Sequence, residues 1–112
     1  MVLMSTLIDS SRLTRDWLTK IKVGVESHVP SIIYDEVKYW AKFKNPNSNR
    51  VIAWLNPSKS SVRLFLKLDP DLEPDIKKST SQWKNFPSIY RIDSENKVSR
   101  AIELVVLSFQ YD

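Results

Sequence analysis

The chain contains no cysteine, a single glycine (Gly24) and a single histidine (His28) among its 112 residues. Without cysteine it can form neither a disulfide nor a thiolate metal site, which is typical of proteins from a reducing compartment. Phosphate-binding loops and dinucleotide-binding folds need several glycines at fixed spacing, because the backbone must approach the phosphates closely. One histidine allows neither a two-histidine metal site nor an evident serine–histidine–acid arrangement. We therefore expect a protein that is not an enzyme and that uses no metal or cofactor.

Long apolar runs are also missing. No stretch of about 18 apolar residues is present, so we predict no membrane-spanning helix and no membrane partner. Residues 1–8 are too short for the apolar region of a signal peptide and lack the basic residues that precede one. We therefore expect a cytoplasmic protein. The length fits one domain, 1–112, with an N-terminal segment (1–8) and a long irregular loop (69–86).

Acidic residues are absent from one part of the chain. Residues 37–68 contain no Asp or Glu but seven basic and five aromatic residues, so this window carries a formal charge of +7, whereas the whole chain carries +4. The seven basic residues are Lys38, Lys42, Lys44, Arg50, Lys59, Arg63 and Lys67. Such a concentration of charge attracts phosphates, carboxylates or acidic partners. The window therefore predicts a binding surface.

The same window alternates between two kinds of side chain, which predicts strands with two unlike faces. Residues 37–44, 50–56 and 61–68 follow this period of two, and the short, turn-rich connections between them favour an antiparallel meander. One predicted face is aliphatic with two aromatics. The other holds six of the seven basic side chains (all but Lys59) together with Trp40, Trp54 and Phe65, and the alternation also places Ile52 on it. This second face is the candidate ligand or nucleic-acid face, and its residues are Lys38, Trp40, Lys42, Arg50, Trp54, Arg63, Phe65 and Lys67.

Helices are predicted before and after the strands. Residues 10–29 carry an apolar stripe at steps of four, capped by Asp9 or Ser10, and Gly24 within them predicts close packing or a fraying last turn. Residues 32–35 add a short strand or lead into the first long one. Residues 88–92 have the pattern of a fourth strand, and a final amphipathic helix follows. We predict a two-layer α+β domain of order α-β-β-β-β-α, with a mainly antiparallel four-stranded sheet and two helices on one face.

The aromatic residues of the candidate face leave two interpretations open. Trp40, Trp54 and Phe65 could stack on bases while neighbouring cations hold phosphates, as in proteins that bind single strands. Alternatively these side chains are buried under the 69–86 segment, under the N-terminal residues or against a second subunit. Trp83 then either covers the sheet or forms the rim of a ligand pocket.

Acidic residues reappear directly after the window. Their spacing resembles a calcium loop, but two prolines lie among them, and the turn glycine and closing glutamate are missing. A solvated loop that partly neutralises the basic face is the favoured interpretation. The residues are Asp69, Asp71, Glu73 and Asp75.

The predicted meander resembles a known domain family. The similar segments read KYWAKFK at 38–44, VIAWLNPSK at 51–59 and VRLFLKL at 62–68. They are similar to a small uncharacterised family that is often labelled "predicted transport protein" and is sometimes appended to restriction-type nucleases. With Trp83 and the last strand and helix, the resemblance covers residues 34–110. It implies the fold but no activity, because the family has no settled one, and the glycines and histidine that the family carries beside its tryptophan are missing here.

Three functions are compatible with these features. We expect a non-catalytic binding module whose basic, aromatic face engages nucleic acid or another polyanion. One alternative is a protein–protein or homodimer interface that buries the aromatic residues, since an exposed patch of this kind is larger than monomers usually leave open. The other is a pocket for a small anion under the 69–86 loop.

Overall fold

The computed structural model describes residues 10–79 and 85–112, which form two helices and one sheet. A short 3-10 turn (Glu95–Lys97) precedes the second helix. The elements follow in the order α1 (Arg12–His28), β1 (Ile33–Glu36), β2 (Ala41–Asn45), β3 (Arg50–Pro57), β4 (Val62–Leu66), β5 (Lys77–Lys78), β6 (Ser88–Ile92) and α2 (Val98–Tyr111). The predicted α+β class, with two helices and an antiparallel sheet, is therefore confirmed.

Within the described ranges the sheet has six strands, in the spatial order β1-β2-β3-β4-β6-β5, and neighbouring strands are antiparallel. The prediction of four strands is therefore wrong in number. The predicted first strand, residues 37–44, is interrupted because the backbones of Val37 and Trp40 exchange hydrogen bonds (2.8 and 3.4 Å) in a tight turn. This turn leaves β1 as a strand of its own. The other additional strand, β5, lies inside the 69–86 segment that was predicted to be irregular.

Both helices pack on the same face of the sheet, which we call the helix face. The Lys22 ammonium of α1 lies 5.7 Å from the centre of the Tyr34 ring in β1. In α2, the Ser108 hydroxyl donates to the Ile52 carbonyl of β3 (2.8 Å). The space between helices and sheet is filled by apolar side chains, whose burial is the main stabilising contribution to such a fold. The fully buried ones are Ile21, Val25, Ala41, Phe43, Ile52, Ala53, Leu55, Val62, Leu64, Leu66, Ile92, Ala101, Leu104 and Val105.

The first helix begins at a cap that also fixes it to the sheet. The backbone N–H of Thr14 donates to the Ser11 hydroxyl (3.2 Å), and the Ser11 N–H donates to the Thr14 hydroxyl (2.9 Å), which completes a capping box. The Ser11 hydroxyl itself donates to the Lys59 carbonyl (2.6 Å) in the turn between β3 and β4. Ser11 is therefore the cap, and the predicted caps Asp9 and Ser10 were one or two residues early.

The two helices approach each other closely at Gly24. A Cβ atom at this position would lie 2.3 Å from Cδ1 and 2.8 Å from Cγ1 of Ile102 in α2. These distances are far below van der Waals contact, so a side chain here would displace Ile102. Of the two explanations predicted for Gly24, close packing is confirmed.

A β-bulge changes which side chains of β3 face the helices. Phe43 pairs with Ala53, whereas the next residue, Lys44, pairs with Val51, so Ile52 is an extra residue in β3. A bulge shifts the alternation of side chains by one position. Ile52 is therefore fully buried in the core, and the prediction that placed it on the candidate ligand face is wrong.

Candidate nucleic-acid interface

The candidate site lies on the face of the sheet that points away from both helices, which we call the opposite face. Cross-strand pairs order its side chains in rows: Lys42 pairs with Trp54, and Trp54 pairs with Phe65. Within the strands of the described chain, this face carries one acidic residue, Asp35, and five basic residues, which are Lys42, Lys44, Arg63, Lys77 and Arg91. Asp93, just after β6, lies beside Arg63 and Arg91. The excess of positive charge creates an electropositive surface that attracts anions.

Three aromatic side chains form a cluster in the middle of this face. The Trp40 ring lies 5.9 Å from the Trp54 ring in an edge-to-face arrangement, and 5.8 Å from the Phe65 ring. Trp40 and Trp54 are half-buried, whereas Phe65 is only 5% exposed. Phe65 therefore packs against the tryptophans and contributes little surface, which corrects its place among the predicted ligand contacts. Part of each tryptophan remains accessible.

Two cations lie against this aromatic cluster. The Lys42 ammonium is 5.5 Å from the Trp54 ring centre, and the Arg63 guanidinium is 5.9 Å from that of Phe65. Both distances are within the range of cation–π attraction, which amounts to about 0.5–1 kcal/mol at exposed sites. The Arg63 guanidinium also donates to the side-chain oxygen of Asn56, its cross-strand neighbour. Of the predicted ligand residues, Lys42, Trp40, Trp54 and Arg63 lie together on this face, with Lys42 against Trp54 and Arg63 against Phe65.

Arg50 and Lys67 do not belong to this face, and their prediction as ligand contacts is corrected. Arg50 pairs with the buried Asn45 at the start of β3 and lies on the helix side, because the bulge reverses the alternation. Lys67 follows the last residue of β4, where the alternation no longer applies. Both bind the Asp112 carboxylate after α2, with Arg50 Nε at 3.1 Å and Lys67 Nζ at 3.2 Å from Oδ1.

The Asp112 carboxylate is held by four donors. Besides Arg50 and Lys67 at Oδ1, the Ser48 hydroxyl (2.6 Å) and the Asn45 amide (3.0 Å) donate to Oδ2. The Asp112 side chain is 1% exposed. Burial by itself would raise the pKa of this carboxyl, but the hydrogen bonds outweigh it and hold the pKa well below its ordinary value. The group is therefore an ionised structural element that fixes the end of α2 to the β2–β3 turn.

Two further predicted residues lie off the sheet or beyond its description. Lys38 is exposed in the turn between β1 and β2, outside the strand ladders. Trp83 lies outside the described residues, so its role as a cover or a pocket rim stays a prediction.

Two basic residues of the opposite face come from outside the window 37–68, and sequence reasoning missed them. Arg91 of β6 lies directly opposite Arg63 of β4. Lys77 of β5 pairs with Ile89, which lies two residues before Arg91 in β6. The sequence predicted a strand at residues 88–92 but assigned no role to Arg91. No local feature of the sequence indicates that β6 pairs with β4. This pairing places Arg91 next to the strands of the window 37–68, which contains no acidic residue.

Arg63, Lys77 and Arg91 line a groove at the β5–β6 edge, with a volume of about 390 Å³. Its lining residues are Arg63, Asp75, Lys77, Ile89, Tyr90, Arg91, Asp93 and Lys97. Both carboxylates in the groove already have cationic partners. Asp75 receives hydrogen bonds from Arg100 of α2 (2.7 and 2.9 Å), and Asp93 lies 2.9 Å from the Lys97 ammonium. The hydrogen bonds from Arg100 lower the pKa of Asp75, so this carboxylate stays ionised and paired.

Two carboxylates of the acidic loop bind a cation of the helix layer. Glu73 and Asp75 both bind the guanidinium of Arg100, which belongs to a helix on the other side of the sheet.

Among the described residues, no group of His, Asp or Glu could hold a metal ion. Within the same residues, neither helix is long and apolar enough to cross a membrane.

Comparison of the chain with protein-family models, with curated proteins and with solved structures gives no match. The resemblance of its meander to a family of small domains therefore stays a prediction. Any function must be argued from the site itself.

Proposed function

We propose that this protein is a non-catalytic module that binds single-stranded nucleic acid on the opposite face of its sheet. The observation that carries the proposal is the combination of two accessible tryptophans with an excess of basic over acidic side chains on one helix-free face. Proteins that bind single strands use aromatic side chains for base stacking and cations for the phosphates. Stacking contributes about 1–3 kcal/mol per base and tolerates any sequence.

The distribution of charge favours a chain of phosphates over a single small anion. The basic residues of this face occur on β2, β4, β5 and β6, so they are spread across the sheet. A chain that crosses the strands could meet several of them in succession. Single strands are favoured over duplexes because a base must leave its stack before Trp40 or Trp54 can contact its ring.

Anisotropy titration with a labelled 12-nucleotide single strand, and with a duplex of the same sequence, tests this proposal. We expect the single strand to bind more tightly, with an affinity that falls steeply as salt rises, because binding releases counterions. Arg63→Glu should remove most of the affinity and leave the fold intact, since Arg63 is exposed and its partner Asn56 is uncharged.

The matched control is Arg12→Glu, which makes the same charge change at an exposed position of α1, in the other layer. This variant should bind nearly as well as the wild type. No binding at low salt, or an equal loss in both variants, would contradict the proposal.

A second candidate function is a protein–protein interface on the same face. Its support is a group of exposed apolar side chains at the β1 edge, close in sequence to Trp40: Ile33, Val37 and Tyr39. Sedimentation equilibrium would favour this function if the chain forms a dimer that Trp40→Lys disrupts. A monomer at concentrations of about 100 μM would count against self-association through this face, because specific interfaces of standard size bind more tightly.

A further inference from the structure

Two arginines oppose each other on the basic side of the sheet. Arg63 of β4 and Arg91 of β6 are direct partners in the antiparallel ladder. Cβ atoms at such positions lie about 4.5–5.5 Å apart, and like charges placed there destabilise a sheet. The Arg63 side chain donates to the neutral side chain of Asn56, and the Arg91 side chain forms no hydrogen bond or salt bridge with residues 10–79 and 85–112. Neither guanidinium therefore has a carboxylate salt-bridge partner among the described residues, and the nearby Asp93, which attracts Arg91 through space, is itself bound by Lys97.

The surroundings of the pair add a further cation. Lys77 of β5 pairs with Ile89, which lies two residues before Arg91 on the same face. All three basic residues line the groove of about 390 Å³ at the β5–β6 edge. Arg100 and Lys97 form salt bridges with the two carboxylates of the groove, and the other three cations form none with them. The groove therefore keeps more positive than negative charge.

We propose that this groove is a phosphate subsite, in which Arg63 and Arg91 together hold one phosphate group of the bound nucleic acid. The inference rests on the proposed function, because the nucleic acid supplies the phosphate. A guanidinium donates two parallel hydrogen bonds to phosphate oxygens, and these charge-assisted bonds are stronger than neutral ones. An anion between the two arginines is attracted by both, and these two attractions offset the repulsion between them. Lys77 contributes a third positive charge at the groove.

The subsite is continuous with the aromatic cluster. Arg63 lies against the Phe65 ring at 5.9 Å, and that ring lies 5.8 Å from Trp40. A strand whose phosphate occupies the groove would therefore have its neighbouring bases near the accessible tryptophans. One arginine, Arg63, thus borders both the phosphate subsite and the stacking surface.

The variant Arg91→Gln tests the subsite, with Arg12→Gln as the control of equal charge change. Anisotropy of a labelled 12-nucleotide thymidine strand, measured between 25 and 200 mM NaCl, should show about tenfold weaker binding for Arg91→Gln at low salt. The slope of log affinity against log salt should fall by roughly 0.7 for the lost phosphate contact. Arg12→Gln should change neither quantity.

The melting temperature of the free protein separates a binding role from a structural one. Relief of the like-charge pair should raise the melting temperature of Arg91→Gln by about 1–5 °C. A structural arginine would give a lower melting temperature. Weaker binding combined with higher stability is therefore the expected signature of the subsite.

Inorganic phosphate provides the last arm of the test. In NMR spectra at constant ionic strength, phosphate should shift the side-chain Nε–H signals of Arg63 and Arg91, and chloride should not. If oligonucleotide binds and Arg91→Gln binds like Arg12→Gln, the subsite is overturned and the proposed function stands. If phosphate shifts both signals but no oligonucleotide binds, the proposed function and the nucleic-acid source of the phosphate are overturned. If neither ligand acts, both inferences fail.

Discussion

Replacement of Asp112 by asparagine should destabilise the fold by about 2–4 kcal/mol at pH 7. The new amide keeps one oxygen, which can still accept from Arg50 and Lys67 at the position of Oδ1. Its NH₂ group then faces two donors at the position of Oδ2. The Ser48 hydroxyl can rotate and accept instead, but the Asn45 side chain has only its NH₂ pointing there.

The size of the effect follows from burial. Asn45 is 7% exposed, so its amide loses its partner without access to water, which costs about 1–3 kcal/mol. The two hydrogen bonds at Oδ1 lose their charge assistance, which accounts for roughly 1 kcal/mol more. Arg50 and Lys67 have side chains 57% and 25% exposed, so water can solvate them and their release adds little.

The pH dependence has a defined sign. Because the folded pKa of Asp112 is lowered, its contribution is complete above the unfolded pKa of about 3.9 and is lost as the pH falls toward the folded value. The difference between wild type and Asp112→Asn should therefore shrink by about 1 kcal/mol between pH 7 and pH 3. Urea unfolding followed by tryptophan fluorescence at pH 7, 5 and 3 measures this difference.

Asp93→Asn provides the control, because Asp93 is an exposed carboxylate whose partner is Lys97, four residues along the chain. Exposed pairs of this kind contribute little, so this variant should remain close to the wild type. An Asp112→Asn protein as stable as Asp93→Asn at pH 7 would contradict the structural role of the carboxylate. A stability difference that stays constant down to pH 3 would show that the carboxylate charge is not the cause.

Two further predictions concern the helix contact and the stacking surface. Gly24→Ala should lower the free energy of unfolding by about 1–2 kcal/mol, because the overlap with Ile102 outweighs the gain in helix propensity. The added change Ile102→Val should restore part of this free energy, as measured by urea unfolding. A Gly24→Ala protein more stable than the wild type would contradict this prediction. Trp54→Ala should weaken oligonucleotide binding by about 1–3 kcal/mol, whereas Trp54→Phe should retain most of the affinity. Anisotropy measures both affinities at a temperature where circular dichroism shows that both variants are folded. Equal affinities of the wild type and a folded Trp54→Ala protein would exclude stacking on this ring.

The sequence predicts local features of this fold well, because alternation reports which side chains are buried. The strands β2, β3, β4 and β6 lie close to their predicted positions, and Phe43, Leu55 and Leu64 are in the core as expected. The bulge at Ile52 could not be predicted in the same way. It depends on how two strands pair, and a single strand viewed alone shows an unbroken alternation.

The candidate site was predicted only in part, for a related reason. Lys42, Trp54 and Arg63 share a face because they lie on consecutive paired strands, which the short turns of the meander indicated. Arg91 lies on the same face because β6 pairs with β4. Lys67 does not lie there, because it binds Asp112, which is 45 residues away in the chain. Both events are long-range, so composition and spacing carry no trace of them.

The acid-free window therefore contains basic residues of two kinds, and the position of the countercharge distinguishes them. Arg50 and Lys67 share one buried carboxylate, so their charge is neutralised inside the fold and their replacement should affect stability. Arg63 and its partner Arg91, from outside the window, face each other with no carboxylate between them among the described residues. Stability alone does not explain an arrangement that costs free energy in the sheet. An anionic ligand does explain it, because the same two charges that repel each other in the free protein attract a phosphate together.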